Sequence, residues 1–110
     1  MMLKKKFVEV SEKNVPVLKQ YVPIVNRVHG GHHPEMNEVK ELFEGMLSKM
    51  NQAGESTKDL EEYFLKLRGV TDHYKVPEDV CESYEAVYRL LEEMDKAYDS
   101  ERNRTVKGGK

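Results

Sequence analysis

One cysteine in 110 residues excludes an intramolecular disulfide, and with it any Cys-x-x-Cys zinc or redox motif. That usage fits a reducing compartment. Charged residues interrupt the apolar ones throughout, so no run approaches the roughly 20 apolar residues that span a bilayer. The basic opening "MMLKKKFVEV" lacks the apolar stretch of about 7 to 15 residues that a secretory signal requires, and the expected location is the cytoplasm. Neither sign of charge dominates: 18 Lys and Arg against 20 Asp and Glu give a formal charge of -2, which draws neither nucleic acid nor membrane. The basic tail with Arg102, Arg104, Lys107 and Lys110 has no aromatic residues between its charges, unlike a nucleic-acid platform. No glycine-rich phosphate loop, nucleophile elbow or Ser/His/Asp arrangement is present, and no enzyme activity is expected.

What the chain does have is helical periodicity. Val15, Leu18, Val22, Val25 and His29 recur at steps of three and four, with Tyr21, Ile24 and Val28 widening the stripe. A first helix is expected over roughly residues 12–28, with Pro16 in its first turn, a bend at Pro23 and a stop at Gly30 and Gly31. Residues 1–10 read as an N-terminal arm. Pro34 and Glu35 open a second helix striped by Met36, Val39, Leu42, Phe43, Met46, Leu47 and Met50. "NQAGEST" closes it at Gly54 and offers Ser56 or Thr57 as the next N-cap. The third helix carries Leu60, Tyr63, Phe64 and Leu67 and ends at Gly69. After "TDHYKVPED", Pro77 repeats the start signal, and Val80, Tyr84, Val87, Tyr88, Leu91, Met94 and Tyr98 mark the fourth. Residues 102–110 read as a flexible tail. Four amphipathic segments with short connections imply one all-α domain over 1–110, an antiparallel four-helix bundle.

The stretch "RVHGGHHPE" holds three of the four histidines. His29 and His33 are four apart, a spacing that shares a metal on a continuous helix, but Gly30 and Gly31 between them favour a polar corner between helices. A structural metal site normally needs four ligands, and this neighbourhood supplies three histidines and Glu35. The core stripes of helices 2 and 3 contain no acidic residue or histidine, and Glu101 alone is taken to extend a stripe with a carboxylate. The metal candidates are therefore His29, His32, His33 and Glu101, with Glu101 expected at the opposite end of the bundle from His29. Cys81 falls in the first turn of helix 4, where the helix dipole favours a thiolate, while its place beside Val80 and Tyr84 favours half-buried packing. Met36, Met46, Met50 and Met94 read as packing. Tyr63, Tyr84, Tyr88 and Tyr98 fit either the core or a dimer face.

Two segments, "YVPIVNRVHGGHHPEMNEVKELF" and "LRGVTDHYKVPEDVCESYEAVYRLLEEM", resemble hemerythrin-like iron-sulfur cluster repair proteins in the family's own order and cover about half the chain. Thr71, Tyr74, Pro77, Asp79, Cys81 and Tyr88 are the specific matches in the second. The resemblance implies a four-helix bundle and, in the family, a non-haem di-iron centre serving repair under oxidative or nitrosative stress. It also locates the ligands. The first-helix histidine falls at about Val8, the second-helix His-x-x-x-Glu pair at Tyr63 and Leu67, or, read as the third helix, its histidine near Thr57. On the fourth helix Ala97 takes the histidine's place and Glu101 keeps the glutamate; without a deletion, Glu101 takes the histidine's place and Thr105 the glutamate's. His29 is retained. The expectation is a scaffold without the di-iron site and without a cofactor, acting on an unknown protein partner or by self-association, with no nucleic-acid or membrane partner. The alternative is an iron-binding protein with a rearranged histidine and carboxylate site. A third reading is a redox sensor acting through Cys81.

Overall fold

The computed structural model describes the backbone of residues 5–50, 57–78 and 80–107, and the side chains of 6–50, 60–78 and 80–99. Among the described residues four helices follow in order: α1 (Lys5–His29), α2 (Glu35–Met50), α3 (Thr57–Thr71) and α4 (Glu82–Lys107). They form an all-α antiparallel four-helix bundle in which α1 lies along α4 and α2 along α3. Among the described residues no helix is long and apolar enough to cross a membrane.

Helix α1 starts well before residue 12, and residues 5–10 are its first turns and not an arm. Phe7, Ser11, Asn14 and Leu18 continue the buried face at steps of four, three and four. Two of those four are polar, which hides the stripe. Asn14 tolerates burial because its amide donates to the Leu90 carbonyl and to Glu93 Oε1, both at 3.0 Å. Phe7 meets Phe64 and Tyr98 edge-on, with centroids 6.0 and 5.4 Å apart. The early start also moves Pro16 from the first turn to the interior, where both it and Pro23 are exposed. Residues 1–4 of the expected arm lie outside the described residues.

Differences at the other ends have local causes too. Residues 102–107, expected as tail, belong to α4, since neither glycine nor proline interrupts the chain before Gly108; residues 108–110 lie outside the described residues. Gly54 and Ser56 also lie outside them, and Thr57 is the first residue of α3. Helix α3 passes through Gly69 and stops at Thr71, where Asp72, His73 and Tyr74 all take left-handed backbone angles (φ 55°, 62° and 63°). Such angles are unfavourable for non-glycine residues, above all for a bulky one such as Tyr74. At the first corner the chemistry is as expected: a β-carbon on Gly30 would lie 2.5 Å from the Asn26 carbonyl oxygen, so α1 ends there on glycine.

Tyr84, Tyr88 and Tyr98 are buried within the single chain, while Tyr63 is half-buried and packs against Gly45. Met36, Met46 and Met94 are fully buried among the aliphatic and aromatic residues, as packing requires, and Met50 packs against that core from its edge.

Candidate functional site

The corner after α1 brings the histidines to one end of the bundle. The His29 carbonyl accepts from the amides of His32 (3.1 Å) and His33 (2.8 Å), and the His33 carbonyl accepts from Met36 (2.9 Å), closing the turn between α1 and α2. Tyr84, rising from the start of α4, packs edge-on against two imidazoles: its ring is 5.2 Å from that of His29 and 5.4 Å from that of His33. The Tyr84 hydroxyl donates to Glu35 Oε2 at 3.2 Å and lies 3.3 Å from the Tyr88 hydroxyl. Each histidine turns to its own partner. His33 Nδ1 is 3.3 Å from Glu35 Oε2, and His29 Nε2 is 3.2 Å from Cys81 Sγ.

The four metal candidates are not gathered together. The rings of His29 and His33 have centroids 6.4 Å apart but turn to different partners, and His32 is exposed. Glu101 lies on α4 roughly five turns beyond Glu82, about 28 Å along the axis; its side chain is outside the described residues. Among the described residues, no three His, Cys, Asp or Glu side chains are grouped to hold a metal ion.

Cys81 is exposed, not half-buried, and immediately precedes α4, with its carbonyl accepting from the Glu85 amide at 3.1 Å. Val80 takes the inward position and packs on the core, and the next residue is rotated to the solvent edge. A thiol and an imidazole within hydrogen-bonding reach can exchange a proton, the donor being set by the histidine tautomer. The fold therefore places side by side two residues 52 apart in sequence.

A second polar centre lies lower on α4. Asp95, 3% exposed, receives Arg68 Nε at 2.8 Å, Arg68 Nη2 on its other oxygen at 2.5 Å, and the Tyr74 hydroxyl at 2.6 Å. Sequence reading missed it, naming Glu101 as the acidic residue on a stripe. The signal was there: 84, 88, 91, 95 and 98 are spaced four, three, four and three, so Asp95 stands on the core seam. This network also anchors the left-handed turn. The Thr71 hydroxyl donates to Leu67 O (2.7 Å) and accepts from the Tyr74 amide (2.8 Å), and the His73 amide reaches Arg68 O (2.8 Å).

Burial raises the phenol pKa of Tyr74, Tyr84 and Tyr88 above the ordinary 10.0; the Asp95 hydrogen bond adds to the rise at Tyr74, and Tyr88 to that at Tyr84. The Asp95 hydrogen bond is also the main cause of the raised Arg68 pKa. The folded state thus holds these phenolic protons more tightly than the unfolded chain does. Their stabilisation is complete below the unfolded value and is lost as pH climbs from about 10 through the folded values. Urea unfolding across this range should show a falling midpoint, with tyrosinate absorbance from the buried phenols appearing together with unfolding. Tyrosinate absorbance from all six tyrosines near pH 10 in a still-folded chain would contradict this.

No protein-family model matches the chain, and no curated protein or solved structure matches it either.

Proposed function

We propose that this chain is a non-enzymatic helical-bundle protein of hemerythrin-like descent that has given up a di-iron centre and acts by binding protein, in the setting of iron-sulfur cluster repair. The observation that carries this reading is the packing of Leu67 and Ala97. Where the resemblance calls for a glutamate and a histidine, these residues are 0% and 5% exposed within the apolar core. Of the other aligned positions, Val8 is exposed and Tyr63 packs against Gly45. A di-iron centre needs about five to seven ligands with bridging carboxylates, and apolar side chains supply none.

Metal that binds the folded state raises its melting temperature by mass action. Melting curves with chelator and with ferrous iron under anaerobic conditions are therefore expected to coincide. A rise of several degrees with ferrous iron, abolished by alanine at His29, His32 and His33, would favour the rearranged metal site instead.

A further inference from the structure

We propose that Cys81 is a peroxide-reactive thiol whose proton is carried by His29, a stoichiometric chemistry that goes beyond the protein-binding reading and does not depend on it. Cys81 is exposed, so an oxidant meets it directly from solvent. The thiol does not stand alone: His29 Nε2 lies 3.2 Å from Sγ, within reach of proton transfer between a nucleophile and its base. The imidazole is itself held, because its ring packs edge-on, at 90°, against the fully buried Tyr84. Base, nucleophile and the group that orients the base thus come from the last residue of α1, the residue before α4 and the first turn of α4. The Cys81 backbone is fixed as well. Its carbonyl accepts from the Glu85 amide, which makes Cys81 the N-cap of α4, at the end of the helix dipole that attracts negative charge.

Hydrogen peroxide is the oxidant that fits. The imidazole takes the thiol proton, and the thiolate sulfur attacks one peroxide oxygen. An S–O bond forms as the O–O bond breaks; the sulfur loses two electrons, and the other oxygen departs as hydroxide. The imidazolium gives the proton to that hydroxide, so the products are Cys81 sulfenic acid and water. Exposed Glu78, Glu82 and Glu85 flank Cys81 along the chain, and their charge favours a small neutral oxidant over an anionic disulfide. As the single cysteine, Cys81 has no second thiol within the chain, so the sulfenic acid is left for a thiol from solution.

The test exposes the folded full chain to hydrogen peroxide in the presence of a chelator and of dimedone, which traps sulfenic acid, and follows labelling by mass spectrometry. Cys81 is expected to label at least about tenfold faster than in the same chain unfolded in urea. His29→Gln should slow the peroxide reaction about tenfold or more, yet slow alkylation by iodoacetamide much less, because iodide leaves without needing a proton. That difference separates proton transfer from a merely structural part played by His29. Labelling no faster in the folded chain than in the unfolded one, or equal losses with the two reagents in the variant, would overturn the proposal. Circular dichroism shows whether the variant keeps its helices, and the folded-against-unfolded comparison needs no substitution at all. The chelator excludes iron chemistry, so this result and the one that tests the proposed function are read separately.

Discussion

Asp95→Ala is expected to lower the unfolding free energy by about 3 kcal/mol, the lower end of the range for removing one partner of a buried ion pair. Asp95 accepts from Arg68 and from Tyr74 and so ties α3, the turn after it and α4 together, with Asp99 a more distant second carboxylate, 3.9 Å from Arg68. Once it is gone, the Tyr74 hydroxyl is left without that partner in a buried setting, which costs about 1–3 kcal/mol on its own. Arg68 suffers less because its side chain is partly exposed and regains water. The left-handed run Asp72 to Tyr74 amplifies the effect, since strained backbone persists only while its surroundings hold it. Amide exchange should consequently speed up in residues 72–78 of the variant before it does in α1. Replacing Arg68 by Met together with Asp95 by Leu should cost much less than Asp95→Ala, because the buried pair is then removed as a unit and Asp99, which also faces Arg68, is partly solvated. A loss below about 1 kcal/mol for Asp95→Ala, measured by urea unfolding, would show that the network merely decorates the α3–α4 seam.

Leu67→Glu is expected to unfold the protein at neutral pH. It removes a fully buried leucine and places a carboxylate among apolar side chains, which together cost about 5 kcal/mol or more. That equals the whole stability of many domains of this size. The introduced carboxyl is held neutral by burial, so helix content should recover partly on acidification, where the unfolded chain is protonated as well. Leu67→Met, which nearly conserves volume, should stay folded with a loss under about 1.5 kcal/mol. Ferrous iron decides what the position means. In a bundle that retained a metal pocket, a glutamate at this place would be neutralised by the ion, and iron would refold the variant. Here iron is expected to have no effect on its circular dichroism.

The bundle was legible because its apolar residues keep helical spacing in four blocks, and Pro34 with its glycine neighbours marks a corner by local chemistry alone. What stayed hidden required partners from elsewhere in the chain. Ser11 and Asn14 look like solvent-facing breaks in α1 until Leu90 and Glu93 are seen to receive the Asn14 amide. Gly69 is a reasonable stop by propensity, but the chain turns only where the Thr71 hydroxyl can hold the Tyr74 amide and Asp95 can hold its phenol. Asp95 lay in plain view on the core seam, yet a carboxylate there makes sense only once Arg68 is known to face it. The histidine corner was found by composition. Its division into a His29–Cys81 pair and a His33–Glu35 pair depends on where the start of α4 meets it, and no spacing within "RVHGGHHPE" encodes that.

The most direct measurement is the metal content of the native protein, purified from cells grown in iron-rich medium without chelating steps. Iron far below one atom per chain, and a spectrum without an oxo-bridge band, is the expected result. Close to two iron atoms per chain with that band would contradict the closed apolar core on which the proposed function rests.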